Sequence, residues 1–313
     1  GRRLPGEPRG ADRVFEAGDG MTKVFIDGSA GTAGLRIHSR LENRADLELI
    51  TLTGEARKDP AARKAALNSC DLAVLCLPDA ASREAVAMIE NPAVRVVDTS
   101  TAHRVAPGWA YGFPELSAAR REAIVLVQPL IEAGLLPSSA KLCCHSLTGY
   151  SGGGKGMIAD YEAPDRDVKF DSARPYGLGQ THKHLPEMQG ITGLDCPPVF
   201  CPIVADYYCG MVVTVPLFAE QLNPGFGIED VKACYAAKYT GPVVKYTEAM
   251  DQGGFIDSNA LAGKDSMEVA VFGNAERMLL VSRFDNLGKG ASGAAVQCIN
   301  LMLGADETTG LVL

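Results

Sequence analysis

The 313-residue chain has no apolar run approaching the roughly 20 residues that a membrane-spanning helix needs, so a helical span is excluded. Its first twenty residues, GRRLPGEPRGADRVFEAGDG, carry charges and glycines but no apolar signal core. A strand-like run begins only after Met21, so residues 1–20 read as a tag remnant or a disordered extension. Basic residues do not predominate: 30 Lys and Arg face 38 Asp and Glu, for a net charge of −8. That balance argues against a general nucleic-acid binder and leaves only a local basic patch open. The nine cysteines include no Cys-x-x-Cys pair and follow no framework spacing, so neither a zinc ribbon nor a disulfide scaffold is indicated. Most lie inside apolar runs, where a free thiol behaves as a small hydrophobe. The expectation is a reduced, cytoplasmic protein without a metal. Hydrophobic content of 46% and charged content of 22% are those of a globular chain, and the length suggests about two domains.

The chain opens its fold with KVFIDGSAGTAGLRIHSRL, Lys23 to Leu41. Val24, Phe25 and Ile26 predict a short buried strand, and Leu35, Ile37 and Leu41 the apolar positions of a helix. Between them stands Gly28-Ser29-Ala30-Gly31-Thr32-Ala33-Gly34, a G-x-x-G-x-x-G run close to the dinucleotide fingerprint. Without Cβ atoms, such a turn lets backbone N–H groups and a helix N-terminus approach a diphosphate. A plain strand-to-helix turn would look the same. The context favours a cofactor. LELITLTG, Leu47 to Gly54, predicts a second strand about 20 residues on, where such folds meet the adenosine ribose. An NAD site usually carries an acid at that strand's end. Here the end is neutral, and Arg57 and Lys58 follow, which suits a 2′-phosphate and hence NADP; a solvated loop is the alternative. CDLAVLCLPDAASREAVAMI and VRVVDTSTAHR add strand–helix and strand–loop units. Strands alternating with helices predict an α/β fold with a doubly wound, parallel Rossmann-type sheet.

Six stretches occur in one order: IDGSAGTAG, VVDTSTAHR, YGFPEL, GYSGGGK, THKHLPEM and DNLGKGASGAAVQCINLMLG. In that order the chain, from Met21 to its end, resembles the shorter type of N-acetyl-gamma-glutamyl-phosphate reductases, relatives of aspartate-semialdehyde dehydrogenases. The resemblance implies reduction of N-acetyl-glutamyl 5-phosphate by NADPH to the 5-semialdehyde, with release of phosphate, in arginine biosynthesis. Family members form a thioester on a cysteine thiolate, which is strongly nucleophilic near neutral pH. A histidine serves as acid/base and helps keep the sulfur ionised. The resemblance also implies a homodimer or homotetramer acting on a small acyl phosphate. Two alternatives stay open: an aspartate-semialdehyde dehydrogenase-like acyl-phosphate reductase, and a non-catalytic NADP-binding protein.

The family's motifs nominate further residues. Ser151, Gly152 and Gly153 would face the nicotinamide end of the cofactor, with Asn286 and Gly288 near them. His184 is the favoured acid/base and His182 its alternative; if the stretch is extended, both side chains share one face. A helix could begin at Pro186, with Glu187 in its first turn. Glu187 and Arg104 are the substrate candidates, since a guanidinium fork suits a phosphate. Later strands, Val199 to Phe218 and Met267 to Asn286, with a hairpin at Gly273-Asn274, predict a second α+β domain on a mixed or antiparallel sheet. Ala294, Ala295, Cys298, Leu301 and Met302 form a helical apolar stripe. By the resemblance, that helix returns to the first domain. The NADP-binding domain is therefore expected at 21–116 and 286–313, and the catalytic and dimerisation domain at 117–285.

One feature of the family is missing. After YGFPEL the family has a polar helix, then a segment like Asn-Pro-Gly-Cys-Tyr-x-Thr whose cysteine starts an apolar helix. A helix N-terminus lowers a thiol pKa. Here AIVLVQPLIEAGLLP supplies the apolar helix, but no Pro-Gly-Cys precedes Ile124. Three accounts are open: the segment is present but unresolved, it is deleted, or the chain binds NADP without doing chemistry. The first is expected, because every other part is intact. Cys143 and Cys144 are poor substitutes, being set in an apolar strand.

Overall fold

The computed structural model describes residues 20–115 and 123–313. The expected N-terminal extension, Gly20 apart, and the polar segment after Glu115 lie outside the described residues.

The first unit alternates strand and helix. Strand β1 (Thr22–Asp27) leads into α1 (Thr32–Leu41), then β2 (Leu47–Ile50), α2 (Pro60–Ser69), β3 (Leu72–Leu75), α3 (Asp79–Ala87) and β4 (Arg95–Asp98). The strands pair in the order β2-β1-β3-β4, all parallel. Each parallel step needs a helical crossover. Helix α2 carries no strong apolar stripe and buries only Ala66 and Leu67. Its start is fixed locally: the Asp59 side chain accepts from the N–H groups of Ala61 and Ala62, and Pro60 stands in the first turn.

The second unit begins with α4 (Ala123–Glu132), β5 (Cys143–Gly149), α5 (Gly154–Glu162), the short β6 (Arg174–Pro175) and α6 (Leu185–Thr192). It continues through β7 (Val199–Ala205), β8 (Met211–Phe218), α7 (Ile228–Lys238), β9 (Val244–Tyr246), β10 (Met267–Gly273) and β11 (Arg277–Phe284). A π-helical turn at Gly288–Ser292 then opens α8 (Gly293–Met302). The sheet order is β6-β7-β5-β8-β11-β10-β9, mixed in direction, as the sequence predicts. The hairpin at Gly273-Asn274 joins β10 to β11.

Side-chain alternation on β1 explains the double winding. Val24 and Ile26 pack on one face with Ile37 and Leu41 of α1, while Phe25 packs on the other with Leu67 and Ala85 of α2 and α3. Ala295, Val296 and Ile299 of α8 complete the first of these clusters, so the chain's last helix closes the first sheet. Each fully buried Leu or Ile there is worth about 1.5–3 kcal/mol relative to exposure. Two stripe assignments need correction. Leu35 is 57% exposed, because Gly34, Ile37 and Leu41 form the packed face of α1. On α8, Leu301 is 46% exposed and Cys298 only half-buried; Ile299 and Val296 take the core positions instead.

Helix α4 buries Ile124, Val125, Leu126, Val127 and Leu130, as a helix that is apolar nearly all round must. It contains Pro129, which has no N–H to give the Val125 carbonyl. The phenol of Tyr239, next to α7, donates to that carbonyl at 2.5 Å, and Tyr235 donates to the Leu126 carbonyl. Both phenols are buried, and burial pushes both far above their ordinary pKa, so both stay protonated donors. Among the described residues no helix is long and apolar enough to cross a membrane, and none of the nine cysteines is paired in a disulfide.

Candidate active site

The glycine-rich turn follows the C-terminal end of β1. Gly28 has φ of 85°, and a Cβ there would lie 2.4 Å from the Cys76 carbonyl oxygen. A Cβ on Gly34 would lie 2.3 Å from the Gly28 carbonyl oxygen. Those two glycines are demanded by the fold itself. Gly31 differs: its φ is −79°, and a Cβ would find only ordinary contacts, the nearest at 3.4 Å. The fold gives no reason for its bareness, whereas a ligand approaching the turn does. Gly31 is the N-cap of α1, no side chain caps the helix, and its first turn carries no acid. These features fit a diphosphate held by backbone N–H groups. Asp27, at the end of β1, is neutralised by Arg63 from α2, with Nε and Nη2 at 3.1 and 2.9 Å from one oxygen. Arg57 lies beyond β2, exposed to solvent, and its Nε reaches only the Gly54 carbonyl at 3.4 Å.

The Asp98 carboxylate organises the loop after β4. It accepts from the Ser82 hydroxyl at 2.8 Å and from the Ser100 N–H at 2.9 Å, and contacts His103 Nδ1 at 2.6 Å. The His103 ring stacks on Trp109 with centroids 4.3 Å apart. The loop thereby presents Arg104 to the start of α6. Nη1 of Arg104 donates to Glu187 Oε1 at 2.8 Å, Nε to the Ser100 carbonyl at 2.9 Å and Nη2 to the Thr99 carbonyl at 3.3 Å. Nδ1 of His184 also bonds Glu187 Oε1, and the Tyr111 hydroxyl donates to Oε2. Burial alone would raise the Glu187 pKa. The His184 hydrogen bond, the Arg104 charge and the Tyr111 hydroxyl outweigh it and hold the pKa at about 2. An ionised Glu187 requires Nδ1 of His184 to carry the proton, which leaves Nε2 as the basic nitrogen.

His182 and His184 do lie side by side, with ring centroids 4.8 Å apart. They do so across a turn rather than along an extended segment, because α6 starts at Leu185 and His184 already has φ −86° and ψ −13°. Their environments separate them. Burial, then repulsion by His184 and Lys183, pushes His182 down to about 4. The His184 backbone N–H donates to His182 Nδ1 at 3.3 Å. His182 is thus a neutral neighbour at physiological pH, and His184 is the histidine with an orienting carboxylate.

In the second unit, β5 runs into the turn containing Ser151, Gly152 and Gly153. Asn286 fixes that turn. Its Nδ2 donates to the Ser151 hydroxyl at 3.0 Å, while its Oδ1 accepts from the Gly210 N–H at 2.8 Å. A Cβ on Gly152 would meet Asn286 only at 3.5 Å, so this glycine too is bare beyond the fold's own need. Gly288 is not: a Cβ there would lie 1.9 Å from the Lys264 carbonyl oxygen, so close packing alone explains it. Lys155 of α5 donates to the Ala30 carbonyl at 3.3 Å and ties the two glycine-rich turns together.

Sequence reading missed several residues here. Tyr111 was visible only as part of the YGFPEL motif. Lys155 and Asp98 stood in quoted motifs without roles. The buried Lys289 gives both Glu115 oxygens 3.0 Å contacts, bonds Gln297 and lies 3.9 Å over the Phe113 ring. It therefore locks the π-helical turn to the first unit. A cleft of about 270 Å³ opens beside Arg104, Trp109, Tyr111 and Ile191. A larger one, about 460 Å³ between α4 and α7, holds none of the candidate residues.

Five of the nine cysteines are deactivated rather than activated by their surroundings. Burial pushes the Cys76 thiol up to about 12 and Cys70 up to about 11, and raises Cys143, Cys209 and Cys234. The full sequence passes directly from Ala123 to Ile124, so the account of a present but unresolved segment does not hold.

Sequence models of two domain families match this chain: the semialdehyde dehydrogenase NAD binding domain over residues 23–124, and the semialdehyde dehydrogenase dimerisation domain over residues 121–286. Aspartate semialdehyde dehydrogenase II from Vibrio cholerae has a similar fold, with a TM-score of 0.69 at 16% identity over 91% of this chain and 99% of that one. The chain is thus an oxidoreductase of the semialdehyde dehydrogenase class. An N-acetyl-gamma-glutamyl-phosphate reductase of Burkholderia ambifaria is 46% identical over 303 positions, covering 90% of this chain and 96% of its own. N-acetyl-gamma-glutamyl-phosphate reductase 2 of Pseudomonas putida is 44% identical over 309 positions, covering 92% and 98%. Within the class, this chain belongs to the N-acetyl-gamma-glutamyl-phosphate reductase family. The alignment with the Burkholderia protein has 303 positions, yet 90% of 313 is only about 282 residues. About 21 aligned positions therefore have no counterpart here.

Proposed function

We propose that this site serves NADPH-dependent reduction of N-acetyl-glutamyl 5-phosphate to the 5-semialdehyde with release of phosphate, the arginine-biosynthesis step. The observation that carries the reading is the His184–Glu187–Arg104 arrangement at the C-terminal edge of a parallel sheet, the edge where such sheets bind ligands. The Gly28-Gly31-Gly34 turn and the start of α1 would hold the diphosphate, with Ser29, Ala30, Thr32 and Ala33 in the same turn. Arg57 and Lys58 would meet the 2′-phosphate, since β2 ends without a carboxylate. Ser151, Gly152, Gly153, Asn286 and Gly288 would surround the nicotinamide end. Bound NADPH supplies the hydride.

The chain's own residues do the remaining work. Glu187 holds the Nδ1 proton of His184, so Nε2 can take a proton from a nucleophile and return it later in the cycle. Arg104 orients Glu187 and lends positive charge to the neighbouring cleft, where an anionic substrate group would sit. His182, neutral, shapes the cleft beside His184. The division at 21–116 plus 286–313 and 117–285 is part of this reading, supported by the packing of α8 on β1. So is a homodimer or homotetramer, supported by the dimerisation-domain match, and a cytoplasmic setting, supported by nine cysteines that form no disulfide.

The thiol belongs at the start of α4, and this chain has none there. That absence favours a second reading, NADP binding without turnover. Substrate class is tested in a chain given a Pro-Gly-Cys-aromatic segment between Ala123 and Ile124. Oxidation of NADPH with N-acetyl-glutamyl phosphate is the expected result. Activity with aspartyl phosphate alone would refute the substrate assignment.

A further inference from the structure

Away from the cleft, three side chains that ligate soft metals stand together on the mixed sheet. Strands β5 and β7 run parallel, with His145 opposite Cys201 and Cys143 opposite Val199. Side chains alternate along a strand, so Cys143 and His145 share a face, and register brings Cys201 onto it. The intervening Cys144, Ser146 and Phe200 are buried in the core. On the face away from the core, within one chain, Cys143 and Cys201 are half-buried and His145 is exposed.

The spacing suits a cation. One ligand atom from each residue lies within 4.8 Å of the other two, and Cys143 Sγ stands 3.5 Å from His145 Nε2. Tetrahedral zinc, with Zn–S of about 2.3 Å and Zn–N of about 2.0 Å, holds sulfur and nitrogen about 3.5 Å apart. The donors sit on two paired interior strands, second and third in the sheet order, so their backbones are already placed before any ion arrives. Sequence spacing concealed the group: Cys143-x-His145 and a cysteine 56 positions further on match no linear zinc pattern.

We propose that Cys143, His145 and Cys201 form a three-ligand site for a thiolate-seeking divalent cation of the zinc type, with the fourth position open to solvent. Two thiolates and a neutral imidazole are the donor set such ions prefer over Mg²⁺ or Ca²⁺.

The test uses the full chain, reduced and stripped by a chelator, then titrated with Co²⁺. We expect a thiolate-to-cobalt charge-transfer band that saturates at one ion per chain and is displaced by Zn²⁺. His145→Ala, which leaves both half-buried cysteines in place, is expected to weaken binding at least tenfold, and Cys201→Ser to abolish the band. Cys234→Ser is expected to leave it intact. On the unaltered chain, Zn²⁺ is expected to protect Cys143 and Cys201 from alkylation, read by peptide mass mapping. A band that survives both Cys201→Ser and His145→Ala would overturn the site, as would no band at all. So would a Cys143–Cys201 disulfide in protein isolated without reductant that persists after zinc is added.

Discussion

Nδ1 of His184 and Oε1 of Glu187 are hydrogen-bonded across the first turn of α6, and the same oxygen accepts from Arg104 at 2.8 Å. The carboxylate fixes which imidazole nitrogen is basic, and the guanidinium fixes the carboxylate. Glu187→Gln keeps the shape and removes the charge. In the cysteine-restored chain it is expected to lower kcat by about 10²–10⁴-fold with a small change in KM, the range for loss of a tuned acid/base. Steady-state kinetics checks this. Unchanged kcat would remove His184 from the acid/base role.

Acid stability reports the same carboxylate. Glu187 is held at about 2 against an ordinary 4.5, so its folded-state pKa is depressed. Its contribution is complete above about pH 4.5 and is lost as pH falls through about 2. The shift corresponds to roughly 3 kcal/mol. Denaturant melts between pH 5 and 2 are expected to show wild type losing about that much more stability than Glu187→Gln over the window. Parallel curves would contradict the assignment.

The two kinds of glycine in the first turn separate fold from ligand. Gly28→Ala forces a left-handed φ and a clash with the Cys76 carbonyl, and is expected to destabilise the protein by at least about 1–3 kcal/mol. Gly31→Ala has room and an ordinary φ. It is expected to leave Tm within a few degrees yet weaken NADPH binding by about tenfold or more, since the methyl occupies the ligand's approach. Calorimetry on both variants checks the contrast. Equal NADPH affinity in Gly31→Ala would move the diphosphate elsewhere.

How far the sequence spoke can be judged from particular residues. The parallel sheet was legible because Val24, Phe25 and Ile26 form an apolar run bounded by glycines. Helix α2 was not, because its apolar face is little more than Ala66 and Leu67 and its start depends on the Asp59 cap. The stripe on α8 was misjudged by one position: Ala295, Val296 and Ile299 face the first sheet, with Met302 and Leu303 packed beside them. His184 came from a motif, but its distinction from His182 needed Glu187 and Arg104, which lies 80 positions away and is met only through tertiary packing. The Cys143–His145–Cys201 group likewise exists only once two strands pair.

Packing around α4 gives a prediction independent of catalysis. Pro129 leaves the Val125 carbonyl without its helical donor, and the Tyr239 hydroxyl serves it. Tyr239→Phe strands that carbonyl in the core and is expected to cost about 1–3 kcal/mol with NADPH affinity unchanged. Chemical denaturation beside cofactor titration measures both.

The central claim is that this chain carries a complete cofactor and acid/base apparatus and lacks only the thiol ahead of α4. The most direct measurement places the 313-residue chain beside one bearing a Pro-Gly-Cys-aromatic segment between Ala123 and Ile124. Both are given NADP⁺, phosphate and N-acetyl-glutamate 5-semialdehyde. The account predicts that both bind the cofactor and that only the restored chain forms NADPH. Turnover by the 313-residue chain at the restored chain's rate, or a restored chain that binds cofactor and stays inert, would contradict it.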